Sequence, residues 1–323
     1  MTDSATTVDP VDPELTAAGI LLCDRGLVPL DPRTAPIADV RAAQERIGRF
    51  LADRSTPVAT ERDLSIPGPN GDIACRLYVP EAAMPPPLLI YFHGGGFAYG
   101  SAPAWDGLMR DLSHGAGIAV LNVDYRLAPE HRFPAGLSDA VAAIDHAREF
   151  GGAWRIDSTR LAAGGDSAGA NLALAAAMTL RDAKVPALKS LLLFYGVFSG
   201  NMTSASWQTL GTGTYGLSQA QMAWVWATYI GERLDRAGWR ATPLSGELSG
   251  LPPVRQLIGS LDPLLDDAEA LKVKLDAARV PNDLDIYRGV NHGFVRFNAM
   301  IAQAQRAVDR AAEVLRRDLG MDG

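Results

Sequence analysis

Gly165-Asp166-Ser167-Ala168-Gly169 is the single G-x-S-x-G of this 323-residue chain. It lies where a short run of small apolar residues, fit for a buried strand, breaks at Gly164-Gly165 and helix-forming residues follow from Ala168 to Leu174. A serine held on a tight strand-to-helix turn projects its hydroxyl outward, and glycines two residues to either side let strand and helix pass closely. The next helix aims its first amides at the same spot, where negative charge is welcome. Taken alone, the pattern fits a connector whose serine caps the helix equally well.

Other stretches bear on that choice. His93-Gly94-Gly95-Gly96-Phe97 directly follows the apolar run Leu88–Phe92. Three successive glycines make poor strand or helix, so a close approach of the backbone to something else explains them. Acyl transfer needs backbone N–H groups aimed where a carbonyl oxygen becomes negative, and a glycine loop presents them unobstructed. A plain flexible turn is the alternative. His93 itself is expected to anchor the loop by hydrogen bonding.

A serine nucleophile needs a base, and the base an orienting carboxylate. Of the five histidines, His114 and His146 fall in helical stretches and His131 in the charged run Pro129-Glu-His-Arg132. His292 stands in Arg288-Gly-Val-Asn-His-Gly-Phe294, a loop after the last strand and before the last helix. Asp262 follows the strand Val254–Ile258 in Gly259-Ser-Leu-Asp-Pro-Leu264. In a doubly wound sheet both loops emerge at the edge that carries the serine turn. The order Ser167, Asp262, His292 suits an α/β hydrolase. Asp266 and Asp267 are rival acids, but helix capping explains them more simply.

The elements that must position these groups alternate. Asp63–Ile66 and Ile73–Val79 read as a hairpin across a Gly-Pro-Asn-Gly-Asp turn. Apolar strands follow at Leu88–Phe92, Ile118–Val123, Arg160–Ala163, Leu191–Tyr195, Val254–Ile258 and Leu284–Tyr287, about eight in all. Helices at Asp106–His114, Leu137–Phe150, Ala168–Arg181, Leu264–Ala278 and Asn298–Leu319 separate most of them. This predicts an α/β fold with a mostly parallel, mixed eight-stranded sheet and helices on both faces. Residues 1 to about 12 are expected to be disordered, and Asp39–Arg54 to form a helix ahead of the first strand. Between residues 200 and 242 there is no strand candidate. A helix capped by Ser218-Gln-Ala-Gln221 carries Trp224 and Trp226, and Trp207 and Trp239 lie nearby. These aromatics either pack the insertion onto the body or roof a pocket. The expected organisation is cap helices over 1–55, a core over 56–199 and 243–323, and a cap insertion over 200–242.

Hydrophobic residues make up 47% of the chain and charged ones 21%, ordinary for a protein with a sizeable core. A net charge of -7 with no basic cluster disfavours nucleic acid. No apolar run is long enough to span a bilayer. The acidic start lacks a signal-peptide layout, and Cys23 and Cys75 are far apart, so a cytoplasmic protein with reduced thiols is expected.

His93-Gly-Gly-Gly96, Gly165-Asp-Ser-Ala-Gly169, Asp262-Pro-Leu264 and His292-Gly-Phe294 together resemble the hormone-sensitive-lipase-like branch of the α/β-hydrolases, which includes bacterial acetyl esterases and carboxylesterases. Asp124-Tyr-Arg-Leu-Ala-Pro-Glu-His-Arg-Phe-Pro-Ala135 is similar to the family's second signature, a support for the glycine loop. Ala170 departs from the family's usual glycine. The resemblance runs from about residue 60 onward. It implies a carboxylic ester hydrolase with Ser167 as nucleophile, His292 as base and acid, and Asp262 as its partner. It also implies an oxyanion hole from the amides of Gly95, Gly96 and Ala168, with Gly94 an open alternative. Neither metal nor cofactor is implied. Phe97, Trp207 and Trp224 are the expected pocket walls, and the substrate is a small short- to medium-chain ester. A non-catalytic receptor on the same scaffold, or an amidase or carbamate hydrolase with the same triad, is the alternative. Edge pairing at Leu284–Tyr287 would make a homodimer.

Overall fold

The computed structural model of the protein describes residues 8–321 apart from 83, 186–187 and 232–236. Eight strands form one sheet in the order β1-β2-β4-β3-β5-β6-β7-β8. β1 (Thr60–Gly68) and β2 (Gly71–Val79) are the expected hairpin, closed at Gly68 and Gly71, and β2 runs antiparallel to β4 (Ala119–Val123). From there the sheet is parallel through β3 (Leu88–Phe92), β5 (Leu161–Asp166), β6 (Ser190–Phe194), β7 (Val254–Gly259) and β8 (Asn282–Tyr287). Every residue of β3 to β7 is buried, which is why these strands read as largely apolar runs, with Asn122, Arg255 and Gln256 among the exceptions, instead of alternating ones. β8 is the outer strand and is only partly covered.

Nine α-helices lie among the described residues. α1 (Pro13–Asp24) and α2 (Ile37–Ala52) precede the sheet. α3 (Asp106–Ala116), α4 (Ala135–Phe150) and α5 (Ala168–Asp182) follow β3, β4 and β5. α6 (Ala205–Leu210) and α7 (Gln219–Tyr229) occupy the strandless insertion, and α8 (Leu265–Ala277) and α9 (Ala302–Asp318) complete the chain. α3 packs with α9 and α4 with α5, giving the two helical layers. No helix among the described residues is long and apolar enough to cross a membrane.

Two of the boundaries that differ from expectation have a plain local cause. Asp12, placed in the disordered tail, instead caps α1. Its carboxylate accepts from Glu14 N at 2.8 Å and its own N–H donates to Gly289 O at 2.9 Å. The rest of that tail, 1–7, lies outside the described residues. The last helix starts at Ala302 instead of Asn298. Phe294–Phe297 form a 3₁₀ turn and Ile301 is extended, so the chain reaches α9 from an irregular loop. The capping box at Ser218 and Gln221 forms as expected.

The chain order reverses direction around β3, which has β4 on one side and β5 on the other. The crevice beyond the carboxyl ends of strands at such a point is where open α/β sheets take ligands. The loops after β3, β5, β7 and β8 all leave at that edge.

Candidate active site

Ser167 joins β5 to α5 with φ 54° and ψ -116°, a backbone conformation that side chains rarely adopt. Its neighbours explain how the turn is held. A Cβ on Gly165 would stand 2.4 Å from Phe92 O, and one on Gly169 would stand closer still, at 1.8 Å. The glycines two residues to either side are therefore required by the approach of β3 to the elbow. Ser167 N donates to Phe194 O at 2.9 Å, which fixes the turn to β6.

His292 Nε2 lies 2.9 Å from Ser167 Oγ, and His292 Nδ1 lies 2.8 Å from Asp262 Oδ2. A carboxylate only accepts, so Nδ1 carries the proton and Nε2 is left to accept from the serine hydroxyl. Asp262 is fully buried, and its other oxygen accepts from Leu264 N at 2.9 Å. Burial alone would lower the imidazole pKa. The charge of Asp262 and its hydrogen bond outweigh that and hold His292 above the ordinary histidine value. The structure thus brings together all three side chains from the loops after β5, β7 and β8. The rivals stand elsewhere. Asp267 accepts from Phe198 N and Ser199 N, and Asp266 accepts from Ser206 N, so the first ties the loop after β6 to α8 and the second ties the insertion to it.

The glycine loop faces the serine. Gly95 and Gly96 have φ of 112° and 57°, and their N–H groups have no acceptor among the described residues. Ala168 is the first residue of α5, where a helix has no internal acceptor to offer. Gly94 differs, because its N–H is already donated to Asp166 Oδ1 at 2.8 Å. The second signature supports this loop: Tyr125 Oη donates to His93 O at 2.8 Å and Ala128 N to Phe97 O at 2.8 Å.

A cavity of about 210 Å³ opens over Ser167 and His292. Leu22, Pro29, Gln44 and Ile47 wall it from the N-terminal segment, and Leu217, Met222 and Val225 from the insertion. The expected wall of Phe97, Trp207 and Trp224 is corrected here, since none of the three lines the cavity. Phe97 stacks on Tyr229 at 3.7 Å between centroids, and Trp207 is buried in the hydrophobic core. Trp224 is half-buried on the outer part of α7 and packs against that core. These rings fix the insertion to the body, and smaller side chains of α7 face the cavity instead.

Sequence reasoning missed a second set of residues. Asp166 Oδ1 accepts from Tyr91 Oη at 3.0 Å and Trp105 Nε1 at 2.8 Å as well as from Gly94 N. Burial pushes its pKa up, while Arg296 and these donors pull it down. Arg296 lies over the Trp105 ring at 3.9 Å and donates to Gln44 Oε1 at 2.9 Å and Ala104 O at 3.0 Å. Gln44, Trp105, Asp166 and Arg296 all border the cavity. A larger groove of about 410 Å³ at the far end of α5, bordered by Arg181 and Lys184, contains none of these groups.

Residues 89–296 match the model of the alpha/beta hydrolase fold family, well over half of the chain, and the protein belongs to that family, within its hormone-sensitive-lipase-like branch. Solved structures agree. An esterase from Pyrobaculum calidifontis is 31% identical, with 95% of this chain and 99% of that one covered and a TM-score of 0.88. A thermophilic and thermostable carboxylesterase cloned from a metagenomic library is 34% identical over 88% and 98%, with a TM-score of 0.85. A thermostable esterase from Pseudomonas putida is 28% identical over 97% and 99%, with a TM-score of 0.88.

Proposed function

We propose that the protein hydrolyses carboxylic esters of short- to medium-chain acids through an acyl-enzyme on Ser167. Its family and its esterase neighbours make it an enzyme of the serine carboxylesterase class. The observation that carries the residue roles is the continuous relay from Ser167 Oγ through His292 to Asp262, with spacings of 2.9 and 2.8 Å.

The serine proton passes to His292 Nε2 as Oγ bonds to the carbonyl carbon and the carbonyl electrons move onto oxygen. The N–H groups of Gly95, Gly96 and Ala168 receive that oxyanion. Collapse expels the alcohol oxygen, which takes the proton from Nε2, and water then repeats the sequence to free the acid. Asp262 keeps the imidazole in the required tautomer and favours its cationic form. α1, α2, α6 and α7 act as the cap. A cavity of about 210 Å³, smaller than the roughly 300–1,000 Å³ of drug-sized sites, supports small substrates. The outer strand β8, with Ile286 exposed, is the face on which two copies would pair, and sedimentation of Ile286→Lys against the wild type tests that.

Mixing enzyme with p-nitrophenyl butyrate should release a burst of one nitrophenolate per serine followed by steady turnover. Rates across the acetyl-to-decanoyl series should peak at the shorter chains. Absence of any nitrophenolate release from folded protein would overturn the reading.

A further inference from the structure

Among the described residues, Arg296 is the only lysine or arginine bordering the cavity over Ser167. It follows His292 by four residues, on the same loop, so its guanidinium is attached to the segment that carries the base. Three contacts hold it still: the Trp105 face at 3.9 Å, Gln44 Oε1 and Ala104 O. None of these is charged. No carboxylate lies within ion-pair distance of it among the described residues, although most of the other arginines with charged neighbours in this chain sit directly on an Asp or Glu. Two of its five N–H groups are engaged, which leaves three without an acceptor among the described residues. The nearest negative group in the wall, Asp166, already receives three donors on one oxygen. Burial lowers the Arg296 pKa, with Asp166 opposing. A fixed, partly desolvated guanidinium with spare donors is a site for a planar anion, and its forked geometry fits a carboxylate best. Leu22, Ile47, Met222, Val225 and Phe297 form an apolar part of the wall that offers such a charge nothing.

We propose that Arg296 is a specificity-determining residue that binds a carboxylate carried by the ester substrate, so that the preferred substrates are anionic esters. This rests on the esterase reading above. Two substrate types share that chemistry: monoesters of dicarboxylic acids, with the charge on the acyl side, and acyl esters of hydroxy acids, with the charge on the alcohol side.

The test pairs each with a neutral isostere at pH 8. Monophenyl glutarate is set against phenyl valerate, and 3-butyryloxypropanoate against propyl butyrate. Within each enzyme the readout is the ratio of kcat/KM for the charged to the neutral member, so a general loss of activity cancels. The expected result is that Arg296→Met lowers the ratio of at least one pair by about tenfold to a hundredfold, with Arg296→Lys falling between. The pair that responds tells on which side of the scissile bond the anion sits. Should Arg296→Met lose all turnover, the Arg296→Lys ratio decides together with wild-type inhibition, where glutarate should bind at least tenfold more tightly than glutaramide. Ratios unchanged in both pairs, or equal inhibition by acid and amide, overturn the proposal and leave Asp166 as sufficient counter-charge. If the wild type hydrolyses none of the four esters, the esterase reading itself fails.

Discussion

Two histidine loops leave the same edge of the sheet, one after β3 and one after β8, and their imidazoles meet different fates. His93 is fully buried, and its Nδ1–H donates to Gly94 O at 2.7 Å. Its other nitrogen stands 3.9 Å from Asp124 and has no hydrogen-bond partner among the described residues. It stacks on Tyr125 at 4.6 Å, and burial pushes its pKa down to about 4. His292 has the opposite arrangement. Its Nδ1–H donates to a buried carboxylate at 2.8 Å, which keeps its pKa above the ordinary value despite burial, and a serine hydroxyl faces its Nε2. The residue type is shared, and the difference lies in whether a carboxylate or a backbone carbonyl accepts the Nδ1–H hydrogen bond. A carbonyl fixes the ring in place, whereas a carboxylate also makes it basic.

The most direct way to break this contrast is to remove the groups on each side of it. Ser167→Ala should lower kcat by about 10⁴-fold or more in steady-state assays with a nitrophenyl ester, and His292→Ala should do the same. His93→Gln should lower kcat by no more than about tenfold, because it touches only the loop's support. An equal loss from both histidine variants would place chemistry on the wrong loop or on both. Asp262→Asn should cost about 10⁴-fold by allowing the wrong tautomer. Near-native turnover there would remove Asp262 from the relay. Gly95→Ala tests the shared neighbour of both loops. Its Cβ would stand 2.0 Å from Tyr99 O at a φ of 112°, and a fall in kcat of about 10² to 10³ is expected if its amide serves the oxyanion.

Smaller effects come from pH. The acid limb of kcat/KM should lie above 6.5, the ordinary histidine value, because His292 must be neutral to accept the serine proton and its pKa is raised. The limb should stay in place in His93→Gln. Stability should tilt in opposite senses for the two rings. His93, lowered to about 4, contributes stability that is complete above 6.5 and lost as pH falls toward 4, up to about 3 kcal/mol. The contribution of His292 is complete below 6.5 and lost as pH rises through its raised pKa. Urea midpoints of wild type minus His93→Gln between pH 4 and 7 read the first of these. A flat difference would mean that His93 is not buried as a neutral ring.

Much of this was legible before the fold was known. Ser167 and Asp262 stand just beyond largely apolar strands and His292 beyond the short strand Leu284–Tyr287, and the alternation of strands with helices was enough to bring the three loops to one edge. Strand burial on both faces leaves such runs unmistakable. The pocket wall was not legible in the same way. Trp207 and Phe97 are aromatic because they fill the joint between insertion and body, and composition alone does not say which side of a helix faces a cavity. Asp166 and Arg296 carried no signal either. Asp166 looked like a variable position inside the elbow motif, and a cavity arginine has the same letter as a surface one. The spacing from His292 to Arg296, together with the early Trp105, was the only hint, and neither has a period.

Leu22, Pro29, Gln44 and Ile47 reach the cavity from a stretch that ends before β1, whereas the family match begins only at residue 89. Part of the wall over the reacting atoms is thus supplied by a stretch of chain distant from them in sequence. Exchanging the segment ahead of β1 between two relatives would then re-cut that one wall while leaving Ser167, Asp262, His292 and Arg296 in place.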